Sequence, residues 1–209
     1  MMRKTLIRCA SVIIGVGLLS ACASTTVTAV WRDQNYSSQP RTALVILVTE
    51  KPVIMRVFED EFAQQLKGRG IEAVPGYSLL PSDRKLEKEE IAAAAVKSRA
   101  DVLFITRLVD KKSYETYYPG SVYVQHTGGG PGWRDNYARG YTSYQATPGY
   151  TVEQKILYVE TQLYDVKTEQ LVWSVMTETL VGDTAESEVK GFVKVIMKSL
   201  TEKGLVARP

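Results

Sequence analysis

Residues 42–49, TALVILVT, form an unbroken apolar run rich in β-branched side chains. A run of this length and type suits a strand buried on both faces, which forces the chain to supply helices for both sides of a sheet. The next segment obliges. Pro52 fits a first helical turn, and Ile54, Val57, Phe58, Phe62 and Leu66 recur at three- and four-residue steps, predicting a helix over 53–67 that Gly68 and Gly70 stop. A short strand over 71–77 follows, placed near a sheet edge by Pro75. A second helix over 86–98 is predicted, capped by Ser82 or Asp83, with alanines that allow close approach to a sheet. Residues 101–109, DVLFITRLV, are another apolar strand. Strand–helix–strand–helix–strand order is most simply met by right-handed crossovers onto a largely parallel sheet.

The pattern then changes. Residues 152–165 place Leu157, Val159, Thr161 and Leu163 on one face and Tyr158, Glu160, Gln162 and Tyr164 on the other. A polar turn leads to a second alternating run over 171–181, so the pair reads as an antiparallel hairpin. A last helix over 184–203 buries Ala185, Val189, Phe192, Val193, Ile196 and Leu200, with Asp183 and Glu186 at capping-box spacing. The expected fold class is α/β: one domain over 41–209, a mixed sheet of about five strands with a β-α-β-α-β start, an antiparallel hairpin and a C-terminal helix.

Ahead of this domain, MMRKTLIR carries Arg3, Lys4 and Arg8 and no acid, and 13 apolar or small residues follow to position 21. That is the layout of an export signal, too short for the roughly 20 residues of a membrane-spanning helix. Leu19-Ser20-Ala21-Cys22 resembles the lipobox of bacterial lipoproteins. The resemblance implies cleavage between Ala21 and Cys22, a diacylglyceryl thioether on Cys22, and acylation, as with palmitate, of the new amino group. The covalent lipid is the only cofactor expected. An ordinary secretory peptide with a chance cysteine is the alternative. Ala23, where a retained lipoprotein of enteric bacteria commonly has aspartate, favours the outer membrane, with the domain on the periplasmic face. Residues 22–40 read as a lipidated tether, although Trp31, Asp33 and Tyr36 also suit an opening strand that docks on the domain.

Removal of residues 1–21 takes the basic count from 26 to 23 against 23 acids. A formally neutral mature chain argues against nucleic-acid binding, which needs a clustered basic surface. Cys9 leaves with the signal and Cys22 is consumed by lipid, so no thiol remains for a disulfide, metal or nucleophile.

Residues 114–150 form an insertion with eight of the 12 tyrosines, Trp133, the run Gly128-Gly129-Gly130-Pro131-Gly132 and the only histidine, His126. The glycines lack the Gly-Lys-Ser/Thr of a phosphate loop, and His126 has no companion for a metal site. No metal site and no catalytic residue is assigned. A Gly-x-Ser-x-Gly elbow is absent, and the carboxylate groups Glu59, Asp60, Glu61 and Glu87, Glu89, Glu90 read as solvated helix faces. Tyrosine offers large amphipathic area at low entropic cost. Tyr117, Tyr118, Tyr123, Trp133, Tyr137, Tyr141 and Tyr144 are therefore the candidate partner-binding residues. A hairpin extension whose aromatics pack on one another is the competing reading.

The segment Leu163-Tyr164-Asp165-Val166-Lys167-Thr168-Glu169-Gln170-Leu171-Val172-Trp173-Ser174 resembles envelope lipoproteins with domain of unknown function 4136. Asp165 and Thr168 can close its turn, and Trp173 can pack on the sheet. The element order over 42–204 looks like the small α/β domain of the TolB amino-terminal region, shared by the lipoproteins CsgG and LpoB. The resemblance implies a binding or assembly module, not an enzyme. The expected function is therefore protein contact with an envelope partner, in envelope assembly or the regulation of a cell-wall machine. A glycan- or lipid-binding, or cell-wall-hydrolysing, envelope protein is the alternative expectation.

Overall fold

The computed structural model describes residues 25–82, 84–126, 133, 142–182 and 184–208. In chain order the elements are β1 (Thr25–Arg32), β2 (Thr42–Val48), α1 (Pro52–Lys67), β3 (Glu72–Pro75), α2 (Lys88–Lys97), β4 (Val102–Tyr118), β5 (Ser121–His126), β6 (Thr142–Thr147), β7 (Tyr150–Asp165), β8 (Leu171–Leu180) and α3 (Ala185–Glu202). Among the described residues, six strands form one sheet in the order β1-β8-β7-β4-β2-β3, and β5 with β6 form a separate two-stranded sheet. Strands β3, β2 and β4 run parallel, while β4, β7, β8 and β1 are successively antiparallel. The sheet is mixed, as expected, but only half of it is parallel.

Alternation along β2 assigns its side chains. Ala43 and Val45 join a large core with Phe58, Phe62 and Leu66 of α1 and Val189, Phe192, Val193, Ile196 and Leu200 of α3. Leu44 and Ile46 point the other way, to Ala94 and Ala95 of α2. Helices α1 and α3 thus cover one face, and α2 covers part of the other. Full burial of each such aliphatic or aromatic side chain contributes about 1.5–3 kcal/mol. Four phenylalanines tie the larger core together: Phe58 to Phe62, Phe58 to Phe192 and Phe62 to Phe104, with ring centroids 5.6, 5.8 and 5.0 Å apart.

Threonines are buried on this face without a polar cost, because they satisfy one another. Thr106 and Thr161 share a hydroxyl hydrogen bond of 3.1 Å, and Thr25 and Thr179 one of 3.0 Å. The β7–β8 turn closes as its sequence implies: Thr168 donates both its N–H (2.9 Å) and its hydroxyl (3.0 Å) to Asp165 Oδ1. Glu169 takes the left-handed conformation at φ 58° there. Trp173 is packed in the larger core.

Several boundaries differ from the sequence reading. The part of the presumed tether that is described, from Thr25, enters the sheet as its sixth strand and ends at Arg32, which donates to the carbonyls of Lys203 and Tyr36. Helix α2 starts later than expected and is capped by Glu87 with Glu90 in a reciprocal box, instead of by Ser82; Asp83 lies outside the described residues. Thr184 caps α3 by accepting the Ser187 N–H, and Ala185 is exposed at its first turn instead of in the buried stripe. Ile54 and Val57 are only half-buried, because the buried face of α1 is rotated toward Met55 and Glu59. The largest change is at the insertion: β4 continues to Tyr118 and β7 begins at Tyr150, so both ends of residues 114–150 are strand.

Candidate functional site

Two features stand out at one end of the sheet. The first is a ribbon. β8 accompanies β7 only as far as the Ile156–Leu180 pair, yet β4 and β7 remain paired through Tyr118 and Tyr150. Six cross-strand pairs, Ser113–Lys155 to Tyr118–Tyr150, therefore have no third strand beside them among the described residues. At about 3.3 Å per residue this ribbon reaches roughly 20 Å. Beyond it, β5 and β6 pair from Ser121–Thr147 to His126–Thr142. Two-residue links join the two sheets, and each contains a glycine in a tight spot. A Cβ on Gly120 would collide with the carbonyl of Thr147, and one on Gly149 with the ring of Tyr117.

The ribbon displays its aromatics. Tyr114, Tyr117, Tyr118, Tyr123 and Tyr150 are all exposed, Tyr117 and Tyr123 each to 66%. Alternation puts Tyr114, Tyr118 and Tyr150 on one face and Tyr117 on the other. Tyr118 and Tyr150 are directly opposite and stack with centroids 5.2 Å apart. Lys112 lies over the Tyr158 ring at 4.9 Å on the same face, at the root.

Of the candidate residues, the ribbon and its extension thus bring Tyr117, Tyr118 and Tyr123 together. Trp133 is exposed. Tyr144 occupies β6 opposite Val124. Tyr137 and Tyr141 lie outside the described residues, as do Ala21 and Cys22. His126 ends β5. The sequence reading did not single out Tyr150 as a contact residue, since its role depends on the β4–β7 register; the signal was its place in an alternating run beside Val152.

The second feature is a cleft of about 560 Å³ between the N-terminal ends of α1 and α3 and the sheet. Its walls include Leu47, Ile54, Phe58, Leu108, Leu157, Val159, Val181, Val189 and Phe192, and Lys51, Lys111, Lys155 and Glu188 also line it. No single sequence segment contains this constellation.

Glu59 corrects the reading of the α1 carboxylates as solvated surface. It is 1% exposed, and its two oxygens accept the N–H groups of Leu47 and Tyr77, each at 2.8 Å. Burial pushes its carboxyl up to about 7, against the lowering effect of those N–H donors. The group clamps α1 to the end of β2 and to the turn after β3. Its position three residues before Phe62, inside the apolar stripe, was the available clue. A second carboxylate does related work at the opposite end: Asp101 accepts the N–H groups of Arg41 (2.8 Å) and Thr42 (3.0 Å), and these bonds hold it below the usual aspartate range.

Among the described residues there is no cluster of three or more His, Cys, Asp or Glu able to hold a metal ion, and no helix long and apolar enough to cross a membrane. No family model and no curated protein matches the chain. Among solved structures, the PelC dodecamer from Paraburkholderia phytofirmans is similar with a TM-score of 0.44 at 16% identity, over 88% of this chain and 99% of that one. A lipoprotein from Neisseria meningitidis gives 0.40 at 11% identity, over 78% and 99%. A PDZ domain protein from Parabacteroides distasonis gives 0.37 at 10%, over 79% of this chain and 34% of that one. Likeness at this level leaves the function to be argued from the chain's own residues.

Proposed function

We propose that this chain is a lipid-anchored, periplasm-facing lipoprotein of the outer membrane that acts without catalysis, by holding an envelope protein through its tyrosine ribbon. The observation that carries the reading is the paired run from Ser113–Lys155 to Tyr118–Tyr150, which has no third strand among the described residues and bears exposed tyrosines on both faces. A two-stranded ribbon alone is marginally stable in water. Its strand edges offer unpaired backbone groups, and its rings supply the residue type enriched at protein interfaces. A partner would satisfy both. The lipobox-like Leu19-Ser20-Ala21-Cys22 supports the anchor, and a contact module held at the membrane suits envelope assembly or the regulation of a cell-wall machine.

The triple variant Tyr117→Ser, Tyr118→Ser, Tyr150→Ser tests this. Crosslinked pull-down from intact envelopes is expected to recover a specific partner with the complete chain and to lose it with the triple variant. The melting temperature should fall by only a few degrees, because these side chains are exposed and the helix-covered core lies elsewhere. Unchanged capture by the triple variant would exclude the ribbon as the contact.

A further inference from the structure

We infer that the cleft between α1, α3 and the sheet binds one free long-chain fatty acid, tail inward and carboxylate at the lysines. This is independent of the ribbon's role. The volume of about 560 Å³ falls within the ~300–1,000 Å³ typical of small-molecule sites. The Phe58–Phe192 pair, at 5.8 Å, with Val159 and Leu157, offers an apolar wall to a tail.

The polar lining is biased in one direction. Lys51, Lys111 and Lys155 line the cleft against a single acid, Glu188. Glu188 is already engaged, accepting the Gly182 N–H. Lys155 pairs with Glu153 at 3.0 Å, and Lys111 lies near enough to help lower the same carboxyl, whereas Lys51 takes part in no ion pair among the described residues. Lys51 also immediately precedes α1, whose first turn holds no acid and whose end has no side-chain cap, so the positive end of the helix dipole adds to the lysine charges. An apolar wall with a lip of three lysines, only partly balanced by Glu153 and Glu188, matches a fatty carboxylate better than a neutral lipid or a sugar.

The position in the chain fits. Thr25 bonds to Thr179 in the cleft wall, and Cys22 lies three residues earlier, a reach of at most about 10 Å. On the reading that Cys22 is acylated, the anchor holds the cleft close to the bilayer, into which fatty acids partition.

The test is calorimetric titration of sodium palmitate into the full chain carrying Cys22→Ser, which removes the protein's own acyl chains. Saturable one-to-one binding is expected. Ala185→Trp, at an exposed position lining the cleft, should weaken it at least tenfold without changing the melting temperature. Leu108→Trp should do the same from the opposite wall. Lys51→Glu with Lys111→Glu should weaken palmitate about tenfold while leaving cetyl alcohol unaffected. Absence of saturable binding by the folded chain overturns the inference. So does palmitate affinity that is indifferent to both tryptophan substitutions, or a photoreactive palmitate that labels the ribbon and not the cleft walls.

Discussion

Glu59→Ala is expected to lower the unfolding free energy by about 3–5 kcal/mol at pH 5, through a cavity and two abandoned donors. Alanine removes the acceptor that the Leu47 and Tyr77 N–H groups both use. Glu59→Gln separates shape from chemistry. Its one amide oxygen can accept one of the two N–H groups, while its NH₂ meets the other donor, a loss of about 1–3 kcal/mol.

The same residue gives the wild-type protein a pH dependence of definite sign. Its folded-state carboxyl sits at about 7, above the ordinary 4.5. Below pH 4.5 both states hold the proton. Between there and pH 7 the unfolded chain releases it first, so stability falls as pH rises, by up to about 3 kcal/mol, and levels off above the folded-state value. The variants lack this slope. Denaturant titrations at pH 5 and pH 8 should therefore find the gap between wild type and Glu59→Gln smaller at pH 8. A constant gap contradicts the raised carboxyl.

Trp173→Ala is the second large effect, also about 3–5 kcal/mol. The ring is 0% exposed and sits opposite Leu163 in the core that β8 shares with α3. Trp173→Phe should cost much less, within about 1.5 kcal/mol, as a tolerated apolar replacement. The indole N–H has no hydrogen-bond partner among the described residues, so phenylalanine gives up volume but no bond. Thermal melts of the two variants should differ by several degrees. Equal losses would mean that the indole nitrogen, not the ring's bulk, is what the fold uses.

Much of the architecture is legible where burial imposes a period. The β2 run, the Phe58–Phe62–Leu66 stripe, the α3 stripe and the Asp165–Thr168 turn each announce themselves locally. β1 does not, because it is an edge strand with most of its side chains exposed, and alternating threonine and valine look alike in a tether and at an edge. The extension of β4 is harder still. DKKSYETYY has no apolar face; its strand character comes from pairing with residues some 30–50 positions later. The tyrosine-rich composition marks this segment out but does not reveal its form as a strand pair. The cleft joins side chains from six elements and could be recognised only once they were assembled.

The central claim is that the ribbon is the contact surface, and site-specific photocrosslinking tests it most directly. A photoreactive phenylalanine analogue at Tyr117, Tyr118 or Tyr123 should form an adduct of one defined mass in intact envelopes. The same probe at Val96 on α2, 75% exposed but far from the ribbon in the fold, should form none. An adduct at Val96 with none at the three ribbon positions would contradict the account.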